Sequence, residues 1–167
     1  MTTPTVPPSS SDQAADISAL LAEEDAGWTE LRSLVNSLSA DQLSETGYYE
    51  EGWSAKDLLA HIGSWLAEAG VILERIRGST YRPDEIDIDA LNQQFLEAMR
   101  DVPPEIVIAQ ATAARTRMRQ SLAALPEIAP KAAFWIRKAG PEHYGEHLPR
   151  LRKWVEEVTS GRSRTQG

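Results

Sequence analysis

Three histidines are the residues of this chain best equipped for chemistry, and two of them share one helix face. His143 and His147 stand four apart, so in an α-helix both imidazoles leave the same side, about one turn from each other. Two such rings can meet a single ion. His61 lies far away in sequence, on the flank of another helix's apolar arc and about 40° from Trp65 on the helical wheel. Ligands at the rim of a core can reach each other and still meet solvent or substrate. Spacing alone leaves an alternative, because a histidine on such a margin also serves as a hydrogen-bonded core residue.

Other candidates surround this set. Glu24 falls in the middle of an apolar stripe, between Leu20, Leu21, Trp28 and Leu31. A carboxylate there either faces a central cavity as an acid/base group or fourth ligand, or reaches out to pair with an arginine. Asp57, four residues before His61, either orients that ring through a hydrogen bond or caps its own helix. Arg137 and Lys138 precede His143 and could draw an anionic substrate towards it. Trp135 is the tryptophan best placed to cover a bound substrate; the others fall mostly at core positions.

The elements that must position these groups are helical. Apolar residues recur with a period near 3.6, and no alternating strand pattern appears. A first helix is expected from about 11 to 38, with Ile17, Leu20, Leu21, Trp28, Leu31, Val35 and Leu38 on one stripe. The loop 39–52 follows. Ser54 opens a second helix as N-cap with Asp57 three residues on, Trp53 can staple onto Leu58, and Gly78 stops the helix. A short helix is expected near 88–100, with Leu91, Phe95 and Met99 inward. Pro103 and Pro104 begin a third long helix that ends before Pro126. The segment 127–140 reads as a long connection, and a fourth helix runs from about 141 to 158. The expected fold class is all-α, an antiparallel four-helix bundle with an added short helix. Residues 1–11 and 159–167 read as tails with nothing to bury, which leaves 12–158 as one domain.

Composition narrows the function. A chain of 167 residues, 41% hydrophobic, can build one real core. A formal net charge of −8 argues against a general nucleic-acid or anionic-membrane surface. There is no cysteine, so thiolate ligands and cysteine nucleophiles are excluded, and thiol chemistry would require a thiol cosubstrate. The N-terminal residues show no signal-peptide pattern and no segment has the apolar length of a membrane span, so the expected location is the cytoplasm.

Two motifs carry a resemblance. Gly52-Trp53-Ser54-Ala55-Lys56-Asp57-Leu58-Leu59-Ala60-His61-Ile62, with Trp65 beyond it, resembles the second-helix motif of the DinB-like superfamily. His143-Tyr144-Gly145-Glu146-His147, followed by Leu151 and Trp154, resembles its closing H-x-x-x-H motif. The resemblance implies that His61, His143 and His147 hold one divalent metal, zinc or nickel, with positions open to water, a thiolate or substrate. It implies an enzyme acting on a small molecule: a thiol-dependent transferase or isomerase, with mycothiol or a similar low-molecular-weight thiol as cosubstrate. It also leaves room for a DfsB-like resistance protein that hydrolyses or sequesters a reactive metabolite, towards which Asp89-Ala90-Leu91-Asn92 and Arg100-Asp101 are similar, and for a non-catalytic binding bundle. A homodimer is compatible with it. Pro149 departs from the pattern: two residues after His147, it removes the hydrogen bond to the Gly145 carbonyl and can change the angle between the paired histidines.

Overall fold

The computed structural model describes residues 10–48, 52–83 and 87–165. Among them seven helices form: α1 (Ser10–Asn36), α2 (Ala40–Ser44), α3 (Ala55–Arg77), α4 (Ile88–Met99), α5 (Pro104–Ala123), α6 (Pro130–Ala139) and α7 (Pro141–Thr165). The four long ones, α1, α3, α5 and α7, make the bundle and bury its core. The all-α expectation holds. The loop 39–52 and the connection 127–140 each contain a helix that periodicity did not disclose. At five and ten residues, α2 and α6 are short enough for an apolar stripe to be hard to separate from a loop. The expected tail from 159 is helical to Thr165, since no proline follows Val158 to stop the last turns. Part of the expected N-terminal tail, residues 1–9, lies outside the described residues.

Local chemistry sets the helix ends. Ser54 and Asp57 form a reciprocal capping box on α3: the Asp57 amide donates to the Ser54 hydroxyl at 3.2 Å, and the Ser54 amide donates to the Asp57 carboxylate at 2.9 Å. Ser39 and Gln42 repeat the device on α2. Prolines occupy the first turns of α5 and α6, where a missing N–H costs nothing. The Lys56 ammonium is buried and donates to the carbonyls of Met99, Arg100 and Val102. It thereby ties the carbonyl-rich end of α4 to the first turn of α3.

Helix direction is read from the contacts. Gly63 faces Ala111 and Gly70 faces Met118, so seven residues along α3 correspond to seven along α5, and these helices run parallel. A Cβ on Gly63 would stand 3.0 Å from the Ala111 Cα, so the absence of a side chain allows this approach. Glu24 meets Tyr144 and Glu30 meets Arg152, which makes α1 and α7 parallel too. Gln42 and Tyr48, which precede α3, touch Val158 and Trp154 near the far end of α7. His61, two turns into α3, meets the start of α7. The two parallel pairs therefore oppose each other, and the segment carrying α4 returns the chain to the end from which α5 starts. Periodicity marks which face of a helix is buried but carries no sign of direction.

Candidate metal centre

The capping box places His61 at a defined height on α3, and α7 delivers His143 and His147 from its first two turns. The position of α7 is set from behind. Tyr144, next to His143 and turned to the other side, donates its hydroxyl to Glu24 at 3.0 Å and packs on Gly27 and Trp28. Gly140, between α6 and α7, lets the backbone close on α1: a Cβ there would lie 3.0 Å from Glu24 Cγ and 2.9 Å from the Ile136 carbonyl.

The three rings converge. His61 Nε2 and His143 Nε2 are 2.8 Å apart, and the ring centroids stand 4.7 Å (His61–His143), 5.3 Å (His61–His147) and 4.8 Å (His143–His147) from each other. One nitrogen from each ring lies within 4.8 Å of the other two. Nitrogens about 2.1 Å from a common ion stand roughly 3–4 Å apart, so the cluster fits a divalent metal to within a small ring movement. Pro149 does not prevent this. It is exposed on a helix that continues past it, and the paired rings still meet.

Electrostatics suit ligation. Burial, together with the charge of His147, pushes His61 down to about 4. Burial again, then His61 and His147, push His143 down to about 3. Burial lowers His147 as well, against a small opposing effect of Glu146. All three are neutral near pH 7, the form in which imidazole offers a lone pair. Moreover, the buried Nδ1 atoms of His61 and His143 have no hydrogen-bond partner among the described residues. The Ala139 carbonyl lies near enough to favour the His143 cation slightly, without a full hydrogen bond to Nδ1. In a hydrogen-bonded core histidine other protein groups would satisfy the ring nitrogens; here the converging Nε2 atoms of His61 and His143 meet each other.

A pH dependence follows. In the metal-free protein the depressed histidines bind protons more weakly folded than unfolded, so their contribution to stability is complete above pH 6.5. It is lost as pH falls from there through about 4, with a slope on the order of 1 kcal/mol per pH unit for each fully depressed group. Urea unfolding of the metal-free chain is expected to show a lower midpoint at pH 5 than at pH 7.5, and His143→Gln should flatten that difference. An unchanged slope in the variant would contradict it.

The histidines lie in the wall of a cavity of about 750 Å³ lined also by Trp53, Trp65, Ile88, Asn92, Phe134, Trp135, Lys138, Ala139 and Glu146. Trp135 and Lys138 are thus brought to the site. Lys138 pairs with Glu142. Arg137 is exposed and does not line the cavity.

Two expected roles are not what the geometry shows. Asp57 does not orient His61: its carboxylate is held by the Ser54 amide and hydroxyl at 2.9 and 2.7 Å, because the cap is three residues away and already aligned. Glu24 does not line the cavity. It is fully buried, and its oxygens accept from Arg115 at 2.8 Å twice, from Arg119 at 2.6 Å and from Tyr144. Burial alone would raise its pKa, but Arg115 chiefly, with Arg119 and Tyr144, holds it below the ordinary value. The carboxylate is committed to locking α1, α5 and α7 together.

Sequence reasoning passed over several lining residues. Trp65 is four residues beyond His61, and Glu146 directly precedes His147; helical spacing puts both beside ligands and could have flagged them. Trp53 was expected to pack on Leu58. Its ring stands edge-on to His61 at 5.6 Å, while the Gly47 and Tyr48 amides hold its carbonyl. Asn92 and Phe134 arrive on α4 and α6; Asn92 belongs to the stretch that resembles the DfsB-like proteins, and no local signal marks Phe134.

With this geometry in place, comparison with known proteins is decisive at the level of family. The family described as Mycothiol maleylpyruvate isomerase N-terminal domain matches residues 25–159. The chain belongs to that family. Membership in the Mycothiol maleylpyruvate isomerase N-terminal domain family places it in the DinB-like superfamily that the histidine motifs resemble, and the matched span contains all three histidines. A crystal structure of an uncharacterised protein from Escherichia coli UTI89 superposes with a TM-score of 0.72, covering 84% of this chain and 92% of that one at 15% identity. It shows the shared fold alone. No curated protein matches the sequence. Among the described residues, no helix is long and apolar enough to cross a membrane.

Proposed function

We propose that His61, His143 and His147 hold one divalent cation, zinc or nickel, and that the protein is an enzyme using it to activate a low-molecular-weight thiol, or water, towards a small electrophilic substrate. The observation that carries this reading is the convergence of three neutral imidazoles, two buried and one half-buried, at the wall of a substrate-sized cavity. Bound there, the cation would lower the pKa of a thiol or water that reaches it, supplying the nucleophile that a cysteine-free chain lacks. The chain's own residues then shape the reaction. Trp53, Trp65 and Trp135 shield the histidines from bulk water. Glu146, at the same wall, offers a carboxylate that can accept a proton near the reacting atoms. The family's description names mycothiol, which makes a thiol of that kind the cosubstrate to try first.

Protein purified without an affinity tag is expected to bind about one zinc or nickel per chain. In its cobalt form it should show a thiol-dependent absorption change at neutral pH, with thiol-dependent turnover of an electrophile. Failure of the intact chain to bind any of these metals would overturn the proposal. Metal binding with thiol-independent turnover would transfer the activity to hydrolysis by water.

A further inference from the structure

The cavity's chemistry away from the histidines points to the class of molecule it holds. Four large hydrophobic side chains are notably exposed among the described residues, and two of them, Ile88 on α4 and Phe134 on α6, line this one cavity. They are 56% and 51% exposed, so the mouth presents apolar surface to water from two helices at once. Such surface on a protein of this size is characteristic of a binding site.

The walls continue the pattern. The Trp65 indole N–H donates to Asn92 at 2.9 Å, and the Trp135 indole N–H points to the Tyr81 hydroxyl at 3.3 Å. Both polar handles are engaged within the protein, so these residues offer a ligand ring surface and not hydrogen bonds. Phe134 stands edge-on to Trp135, with centroids 5.8 Å apart, extending the aromatic wall outward.

Charge disfavours one alternative. Lys138 is the single lysine or arginine among the lining residues. Its ammonium is paired with Glu142 at 2.5 Å and feels Glu146 as a second negative neighbour. With Glu146 also in the wall, an anionic group entering the mouth meets no unpaired cation among the described lining residues. Separating it from water would therefore be unfavourable.

We propose that this cavity binds a small molecule carrying a flat, uncharged apolar arm, held between Ile88 and Phe134 at the mouth and against Trp65 and Trp135 inside. The inference rests on the proposed function only in taking the histidine end as the reacting end. The arm lies outward from it and selects the substrate.

Two probes of one shape separate the possibilities: 2-naphthalenemethanol, which is neutral, and 2-naphthoate, which is anionic. Isothermal titration of the metal-free chain avoids carboxylate binding to a metal. The alcohol is expected to bind at least about tenfold more tightly than the carboxylate. Phe134→Ala and Ile88→Ser, both at exposed positions where the fold tolerates change, should each weaken the alcohol about fivefold with the far-UV spectrum unaltered. Equal or tighter binding of naphthoate, no binding of either probe, or unchanged affinity in both variants would overturn the inference. Zinc titration of the same preparations reads the metal proposal separately. Zinc binding without naphthyl discrimination removes the apolar-arm inference alone, and naphthyl selectivity without zinc binding removes the metal reading alone.

Discussion

His147→Ala is expected to abolish turnover and to weaken metal binding at least about a hundredfold, while leaving the helical content of the protein unchanged. Loss of a supporting group around a metal ligand already costs roughly 10–100-fold in affinity, and loss of a ligand removes a whole bond. Folding is spared because His147 is only half-buried, and the bundle is held elsewhere by Leu31, Leu66, Met118, Ile136 and Leu151, each essentially inaccessible. His61 or His143 would be less clean targets, since both are buried and their truncation leaves a gap in the wall. Competition with a chromophoric chelator reads the affinity, and circular dichroism reads the fold. Wild-type metal affinity in the variant would remove His147 from the site.

Glu24→Gln has its largest expected effect on stability. The substitution removes the charge facing two guanidinium groups and replaces one acceptor oxygen by a donor. Arg115 is largely buried and stacks over Trp28 with its guanidinium carbon 5.3 Å from the ring centroid, so it cannot simply turn to solvent. Removing one partner of a buried ion pair typically costs about 3–5 kcal/mol. Arg119, more than a third exposed, recovers part of its hydration, which favours the lower end of that range. Urea unfolding with the metal-saturated chain is the measurement, and Glu24→Asp, which keeps the charge, should recover part of the loss. A Glu24→Gln protein of ordinary stability but no activity would restore the acid/base role that its place in an apolar stripe first suggested.

The contrast between these residues shows how far the chain can be read from its order of residues. The His143/His147 pair was legible because its geometry is local: four residues of any α-helix bring two side chains to one face. The Ser54–Asp57 cap is equally local. It also decided the role of Asp57, because a partner three residues away is already positioned while the His61 ring is not. The four long helices were legible because burying one face imposes the period of the helix on the apolar residues. The short helix α4 was legible in the same way, from Leu91, Phe95 and Met99, whereas α2 and α6 were not, since they draw order from contacts with the rest of the molecule.

Glu24 marks the boundary. Its presence inside an apolar stripe announced a buried charge, and both a cavity and an arginine partner were consistent with it. The choice belonged to Arg115 and Arg119, more than ninety positions along the chain, whose approach depends on how α5 crosses α1. Helix direction, the meeting of His61 with a pair some eighty residues later, and the arrival of Ile88 and Phe134 at one mouth have the same origin. By itself the sequence determined which side chains are capable of chemistry and which helix face each occupies, because those follow from a repeat shorter than two turns. Only the tertiary structure decided which of these faces meet, because that depends on packing complementarity between segments far apart in the chain, such as Gly63 on Ala111.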